Sequence, residues 1–134
     1  MPDDPFASLS EPAPLRRAAT INYEWGDQHF EVFCSACSIR TLIWPKTQEE
    51  ITWLHCKAMR TAEINPDGPT GMMTVLIPAH YVTAIGPGPT FRMDRAQITK
   101  DLGIFPPNQP TPPNRLPLER IEETIADLMQ PERN

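Results

Sequence analysis

The sequence predicts a small, mainly β domain of the α+β class, with extended proline-rich arms and one amphipathic helix near its C-terminal end. Three observations predict it. Apolar and polar residues alternate over Ile21–Trp25 and again over His29–Phe33, on either side of Gly26-Asp27-Gln28, which is the period of a half-buried strand repeated across a turn. Most of the 17 prolines crowd into Pro2–Pro14, Pro66–Pro89 and Pro106–Pro117, leaving a modest folded core between extended segments. Leu118, Ile121, Ile125 and Leu128 recur at helical spacing among acidic residues, the pattern of a helix with one apolar stripe.

The chain in order supports this division. Residues 1–17 hold four prolines, several acids and few large apolar groups, so a flexible arm is expected, with Phe6, Leu9 and Leu15 as its anchoring exceptions. The β domain is expected over residues 18–103. After the first hairpin, Ile39–Trp44 reads as a third strand ended by Pro45, which has no N–H for a ladder. Lys46–Glu50 is a polar turn and Ile51–His55 the returning strand. Asn65-Pro66-Asp67-Gly68-Pro69 marks a turn, Met72–Ile77 a strand before Pro78, and Tyr81–Ile85 its continuation after a bend. Gly86-Pro87-Gly88-Pro89 ends that element, and Arg92–Leu102 is weakly helical with Gly103 as its C-cap. Residues 104–117 contain six prolines in 14 positions and are expected to form a polyproline-like spacer. The helix over residues 118–130 has Pro117 at its start and Pro131 beyond its end.

Bulk properties exclude some function classes. A chain of 134 residues has room for one domain. A net charge of −5 argues against coating nucleic acid through a general basic field. No apolar run reaches the roughly 18 residues a membrane helix needs. The opening MPDDPF lacks the basic and apolar regions of a secretory signal, so a reducing cytoplasm, or a particle assembled there, is the expected location. Three cysteines are an odd number, and a disulfide framework is not expected in that compartment.

Those cysteines carry the sharpest pattern, Cys34-x2-Cys37-x18-Cys56-x2-Met59, with His55 beside Cys56. Pairing Ile39–Trp44 with Ile51–His55 brings the ends of this stretch together, the geometry a metal staple needs. The spacing resembles that of a zinc ribbon, with methionine where the fourth cysteine would stand. The resemblance covers about 30 residues. It implies a structural zinc held by Cys34, Cys37 and Cys56, the first three ligand positions. Because a thioether is a poor zinc ligand, the fourth donor is assigned to His55, with His80 as the alternative. Adjacent residues of a flat strand point to opposite faces, so His55 and Cys56 ligate together only if the backbone bends there.

Two other readings of the cysteines compete. They are three buried thiols acting as small apolar groups, or they include a redox Cys-x-x-Cys; the redox motif wants a helix N-terminus at its first thiol, and Ser38–Ile43 reads as strand. His29-Phe30-Glu31 ahead of Cys34 does not make a deaminase signature, since only two residues intervene and no proline precedes the cysteine. No catalytic constellation is visible, and an enzyme is not expected.

The function expected is recognition of another protein, as an adaptor, an inhibitor or a structural component of a larger assembly such as a virion. For Leu118, Ile121, Ile125 and Leu128 two readings compete, docking onto the protein's own core and binding a partner; partner binding is the one expected, because 14 spacer residues at about 3.1 Å each can carry the helix roughly 40 Å from the domain. Self-association through this helix belongs to the same expectation. The alternative is a zinc-ribbon nucleic-acid binder using Arg40, Lys46, Lys57 and Arg60 around Trp44 and Trp53. A Cys-x-x-Cys redox protein is third.

Overall fold

The computed structural model describes residues 9–60, 71–88 and 104–130. Five antiparallel strands form one sheet in the order β4-β3-β2-β1-β5. They are β1 (Pro14–Trp25), β2 (Gln28–Ile43), β3 (Glu50–Arg60), β4 (Gly71–Pro78) and β5 (Val82–Pro87), followed by one helix, α1 (Leu118–Met129). The mainly β architecture with a C-terminal helix agrees with the alternation and helical spacing of the sequence. The expected turn at residues 65–69, the helix at 92–102 and its cap Gly103 lie outside the described residues.

The first hairpin forms where the alternation places it. Trp25 pairs with Gln28 across the two-residue turn Gly26-Asp27. Gly26 sits at φ +64°, and Gln48 is the one non-glycine residue with positive φ among those described. Glycine at the first turn position, with only that residue left-handed, is the type II′ geometry whose twist matches the strands it joins. At the second hairpin Trp44 accepts from the Gln48 N–H at 2.7 Å and donates to the Glu49 carbonyl at 2.8 Å, closing the polar turn after Pro45.

Strands β4 and β5 lie at opposite edges of the sheet, yet only a single 3-10 turn, Ala79–Tyr81, joins them. In a flat sheet, four inter-strand gaps of about 4.8 Å separate the edges by about 19 Å. The four Cα steps from Pro78 to Val82 reach at most about 14 Å. The sheet therefore curls until its edges converge at that end, and its concave side becomes the core. Ile21, Tyr23, Phe30, Val32, Leu54 and Ile77 fill this inner face.

The proline-rich segment closes the gap instead of leading away from it. Ile104 bridges to Leu76 at the edge of β4, the Phe105 N–H donates to the Leu76 carbonyl at 3.0 Å, and the Leu116 N–H donates to the Val82 carbonyl at 2.8 Å. Phe105 enters the core with its ring centroid 5.0 Å from Tyr23 and 5.4 Å from Phe30. The Tyr81 hydroxyl donates to the Pro106 carbonyl at 2.6 Å and accepts from the Gln109 N–H at 2.8 Å. The 40 Å reach expected of this segment is thus not used. Phe105, two edge hydrogen bonds and the two hydrogen bonds of the Tyr81 hydroxyl hold it against its own sheet.

Helix α1 has the bounds expected from the sequence but not the expected role. Ile121, Ile125 and Leu128 are buried in the protein's own core, with Leu118 partly buried beside them. Burying each such side chain stabilises the fold by roughly 1.5–3 kcal/mol, so the stripe is spent on internal packing. Arg17 on β1 donates to the Asp127 carboxylate at 3.1 Å and to its carbonyl at 3.3 Å, placing a cation at the negative end of the helix.

Of the expected N-terminal arm, residues 1–8 with Phe6 lie outside the described residues, and Pro14 to Arg17 belong to β1. Residues 9–13 run beside β2, where the Cys37 N–H donates to the Ala13 carbonyl at 2.9 Å and the Ala13 N–H donates to the Ser38 hydroxyl at 2.7 Å. Pairing with β2, together with packing of Leu15 against the core, orders this stretch despite its prolines. Among the described residues no helix is long and apolar enough to cross a membrane.

Candidate functional site

Cys34 and Cys37 lie on one continuous strand, not on a knuckle between two strands. Residues three apart on a regular strand face opposite sides, because side chains alternate. Here the register with β3 slips by one: Cys34 pairs with Ala58, Ala36 with Lys57, and Cys37 with Cys56. Ser35 is the extra residue, a β-bulge that bends the strand and returns Cys37 to the inner face. Cys56, directly across from Cys37, also points inward. The bulge converts an odd spacing into a shared face.

The three thiols are free and buried in the core, and the Cys37 and Cys56 Sγ atoms are 3.6 Å apart. Their protonation is shared. Thiol hydrogen bonds from Cys37 and then Cys56 pull Cys34 down to about 5 against the effect of burial. The Cys34 contact and burial hold Cys37 well above the ordinary thiol value, although Cys56 acts in the other direction. Cys56 is raised by Cys34, then Cys37, then burial. Loss of one proton from the cluster therefore makes the next losses harder.

The assigned fourth ligands are elsewhere. β3 runs as a regular strand through Trp53–Arg60 opposite β4, so His55 faces the outer side while Cys56 faces the core. The backbone bend that would join them is absent. His55 is buried at 5% exposure, and its Nδ1 has no hydrogen-bond partner among the described residues. Burial, and then Arg40, push its pKa down, opposed by Glu11. His80 sits in the 3-10 turn with its ring centroid 4.3 Å from that of Tyr81. It lines a cavity of about 190 Å³ with Glu50, Thr52, Arg115 and Leu118, away from the cysteines. The Met59 side chain lies outside the described residues. Among the described residues no group of three or more His, Cys, Asp or Glu side chains is arranged around a common metal position. Among the described residues Cys37 and Cys56 approach each other, and neither His55 nor His80 shares a common metal position with them.

The basic residues of the nucleic-acid alternative are not gathered into one free surface. Arg40 donates to the Ser10 hydroxyl at 3.1 Å and the Glu11 carbonyl at 3.5 Å. Lys57 pairs with the Glu11 carboxylate at 2.9 Å, which lowers the pKa of that carboxyl. Lys46 is exposed in the hairpin turn, and the Arg60 side chain lies outside the described residues. Trp44 and Trp53 contact each other at 5.8 Å between centroids, although Trp53 pairs in register with Arg40.

One surface feature was not singled out by sequence reasoning. β1 pairs with β2 only as far as Ala36, and β4 pairs with β3 only from Trp53 onward. Thr41–Ile43 and Glu50–Thr52 therefore continue past the sheet as a two-stranded ribbon. Ile43 on it is 51% exposed, and the Thr41 and Thr52 hydroxyls lie 3.4 Å apart. Strand lengths alone do not show this, because the overhang depends on where neighbouring strands stop. Ser35 was legible in principle: a Cys-x-x-Cys inside a strand needs a bulge if both thiols are to share a face.

No family model, curated protein or solved structure matches this chain. The class of protein that can be stated is architectural: a curled five-stranded antiparallel sheet, closed by a proline-rich strap and one helix.

Proposed function

We propose that this chain is a non-enzymatic protein-binding module, acting as an adaptor, an inhibitor or a structural component of a larger assembly. Its recognition element is the β2–β3 ribbon. The observation that carries this reading is the overhang at Thr41–Ile43 and Glu50–Thr52, which no described strand pairs from the outside and which presents Ile43 to solvent. Unpaired strand edges recruit a further strand from another chain, with main-chain hydrogen bonds supplying affinity and side chains supplying selectivity. The apolar stripe of α1 is already covered, so the ribbon replaces the helix as the docking element. A reducing compartment suits three free thiols.

Sedimentation of the protein in an extract of its source tests the reading. The wild type should travel within a complex, whereas Ile43→Glu should travel as the free chain with an unchanged thermal midpoint. A folded Ile43→Glu that remains in the complex removes the ribbon from the proposal. A wild type found only as the free chain removes protein binding altogether.

A further inference from the structure

The edge of β3 at Glu50–Thr52 opens into a groove that no described element fills. Pairing of β3 with β4 stops at Trp53 and Pro78. The Trp44 N–H donates to the Glu49 carbonyl at 2.8 Å, and two residues further on Leu42 stands opposite Ile51. In an antiparallel ladder the residues that exchange hydrogen bonds recur at every second position. Leu42 and Ile51 are therefore such a pair, and Glu50 and Thr52 on either side turn their N–H groups away from β2, toward the open edge. Among the described residues no backbone carbonyl across that edge meets either N–H.

Two cavities follow this edge as one groove. The inner cavity, about 190 Å³, lies among Glu50, Ile51, Thr52, His80, Arg115 and Leu118. The outer one, about 600 Å³, shares Arg115 and Leu118 and continues along Pro117, Glu119 and Glu122 at the start of α1. Two properties limit what the groove accepts. Free N–H groups on a strand edge call for the carbonyls of an extended chain. The lining charge calls for a cation, because Glu50, Glu119 and Glu122 make no ion pair among the described residues and Arg115 is the one lysine or arginine of the lining. Burial, and then Arg115, lower the pKa of His80, which leaves its ring uncharged at neutral pH. A second copy of the chain suits the groove badly. Antiparallel pairing of two such edges about Ile51 crowds the carboxylates of both grooves together, and like charges across an interface oppose association.

We infer that this groove binds an extended segment of a partner protein carrying arginine or lysine, added to the sheet as a strand beside Glu50–Thr52. The inference rests on the ribbon as the recognition element and assigns its docking edge and the partner's chemistry. Carbonyls of the segment accept from the Glu50 and Thr52 N–H groups, and its basic side chain meets the carboxylates of Glu119 and Glu122.

The test selects short random peptides displayed on phage against the full-length protein. One selected peptide is then synthesised with a fluorescent label and titrated by anisotropy. Selected sequences should be enriched in arginine and lysine over aspartate and glutamate. Glu119→Gln combined with Glu122→Gln should weaken binding of the peptide about fivefold, the effect of losing two exposed ion pairs. Thr52→Pro removes an outward N–H and leaves the bonds between β2 and β3 in place, which an edge strand tolerates, and should weaken binding about tenfold. A selection without binders, binders without basic residues, or an affinity unmoved by the paired glutamate replacements overturns the inference. A folded Thr52→Pro that binds like the wild type overturns it too, and the glutamate variant decides the matter if Thr52→Pro does not fold. A peptide-free wild type that sediments as a dimer, with Thr52→Pro a monomer, makes a second copy the occupant and also overturns it. Each of these failures leaves the ribbon reading standing, because that reading is decided by whether the wild type and Ile43→Glu travel in a complex.

Discussion

The inner and outer faces of the sheet share the same strands but use their residues in opposite ways. On the inner face Cys34, Cys37 and Cys56 belong to the same apolar core as the buried stripe of the helix. On the outer face lie His55, Arg40 and Lys57, of which Arg40 and Lys57 are bound by polar contacts to Ser10 and Glu11. His55 and Cys56 are neighbours in sequence and on opposite sides in space. Cys34 and Cys37 are an odd number apart and on the same side. Proximity along a strand therefore says less about a shared site than parity does, and a single bulge changes parity.

The sharpest way to break this contrast is to delete one residue of β2 at two different places. Deleting Ser38, within the regular part of the strand, moves Ile39 outward and Arg40 inward against Leu54. The cooperative urea transition should disappear, as followed by circular dichroism. Deleting Ser35 removes only the extra residue and keeps every inward residue inward. That variant should retain a cooperative transition, shifted to lower urea by loss of the bend. If both deletions behave alike, the bulge is not what sets the two faces.

A smaller effect is expected where the helix seals the inner face. Ile121 is 0% exposed, and Ile121→Ala should cost about 2–5 kcal/mol through lost burial and the cavity left behind. Urea unfolding measures this directly, and a cost near zero would mean that the helix does not depend on docking to its own sheet.

The smallest effect is at His80, where the edges of the sheet converge. Burial, and then Arg115, lower its pKa below the ordinary histidine value, and Glu50 lines the same cavity. A histidine with a depressed folded-state pKa stabilises fully above its unfolded value near 6.5, and that contribution is lost as pH falls through the folded value. The thermal midpoint should decline as pH drops below about 6.5, and His80→Gln should make the decline shallower. An unchanged slope would show that burial at the convergence point is too slight to matter.

Much of the local structure was legible in the chain. The alternation around Gly26-Asp27 specifies a hairpin and its faces, Pro45 ends the ladder before the second turn, and Leu118–Met129 has the bounds its apolar spacing predicts. These are short-range effects, set by backbone geometry and by the period with which side chains meet one face. Of the candidate site residues, Cys37 and Cys56 face each other across β2 and β3, whereas His55 points to the other face because β3 is a regular strand where a knuckle was expected.

What only the tertiary structure decided depends on contacts between distant parts of the chain. Pairing of β1 with β5 joins Ile21 to Ile85 and converts an open sheet into a curled one. That curl creates the opening which Phe105, the strap and the stripe of α1 fill. An apolar stripe after a proline-rich segment is equally compatible with reaching a partner or folding back. The choice rests on whether an apolar surface of matching size lies within reach, which the period of the residues does not encode.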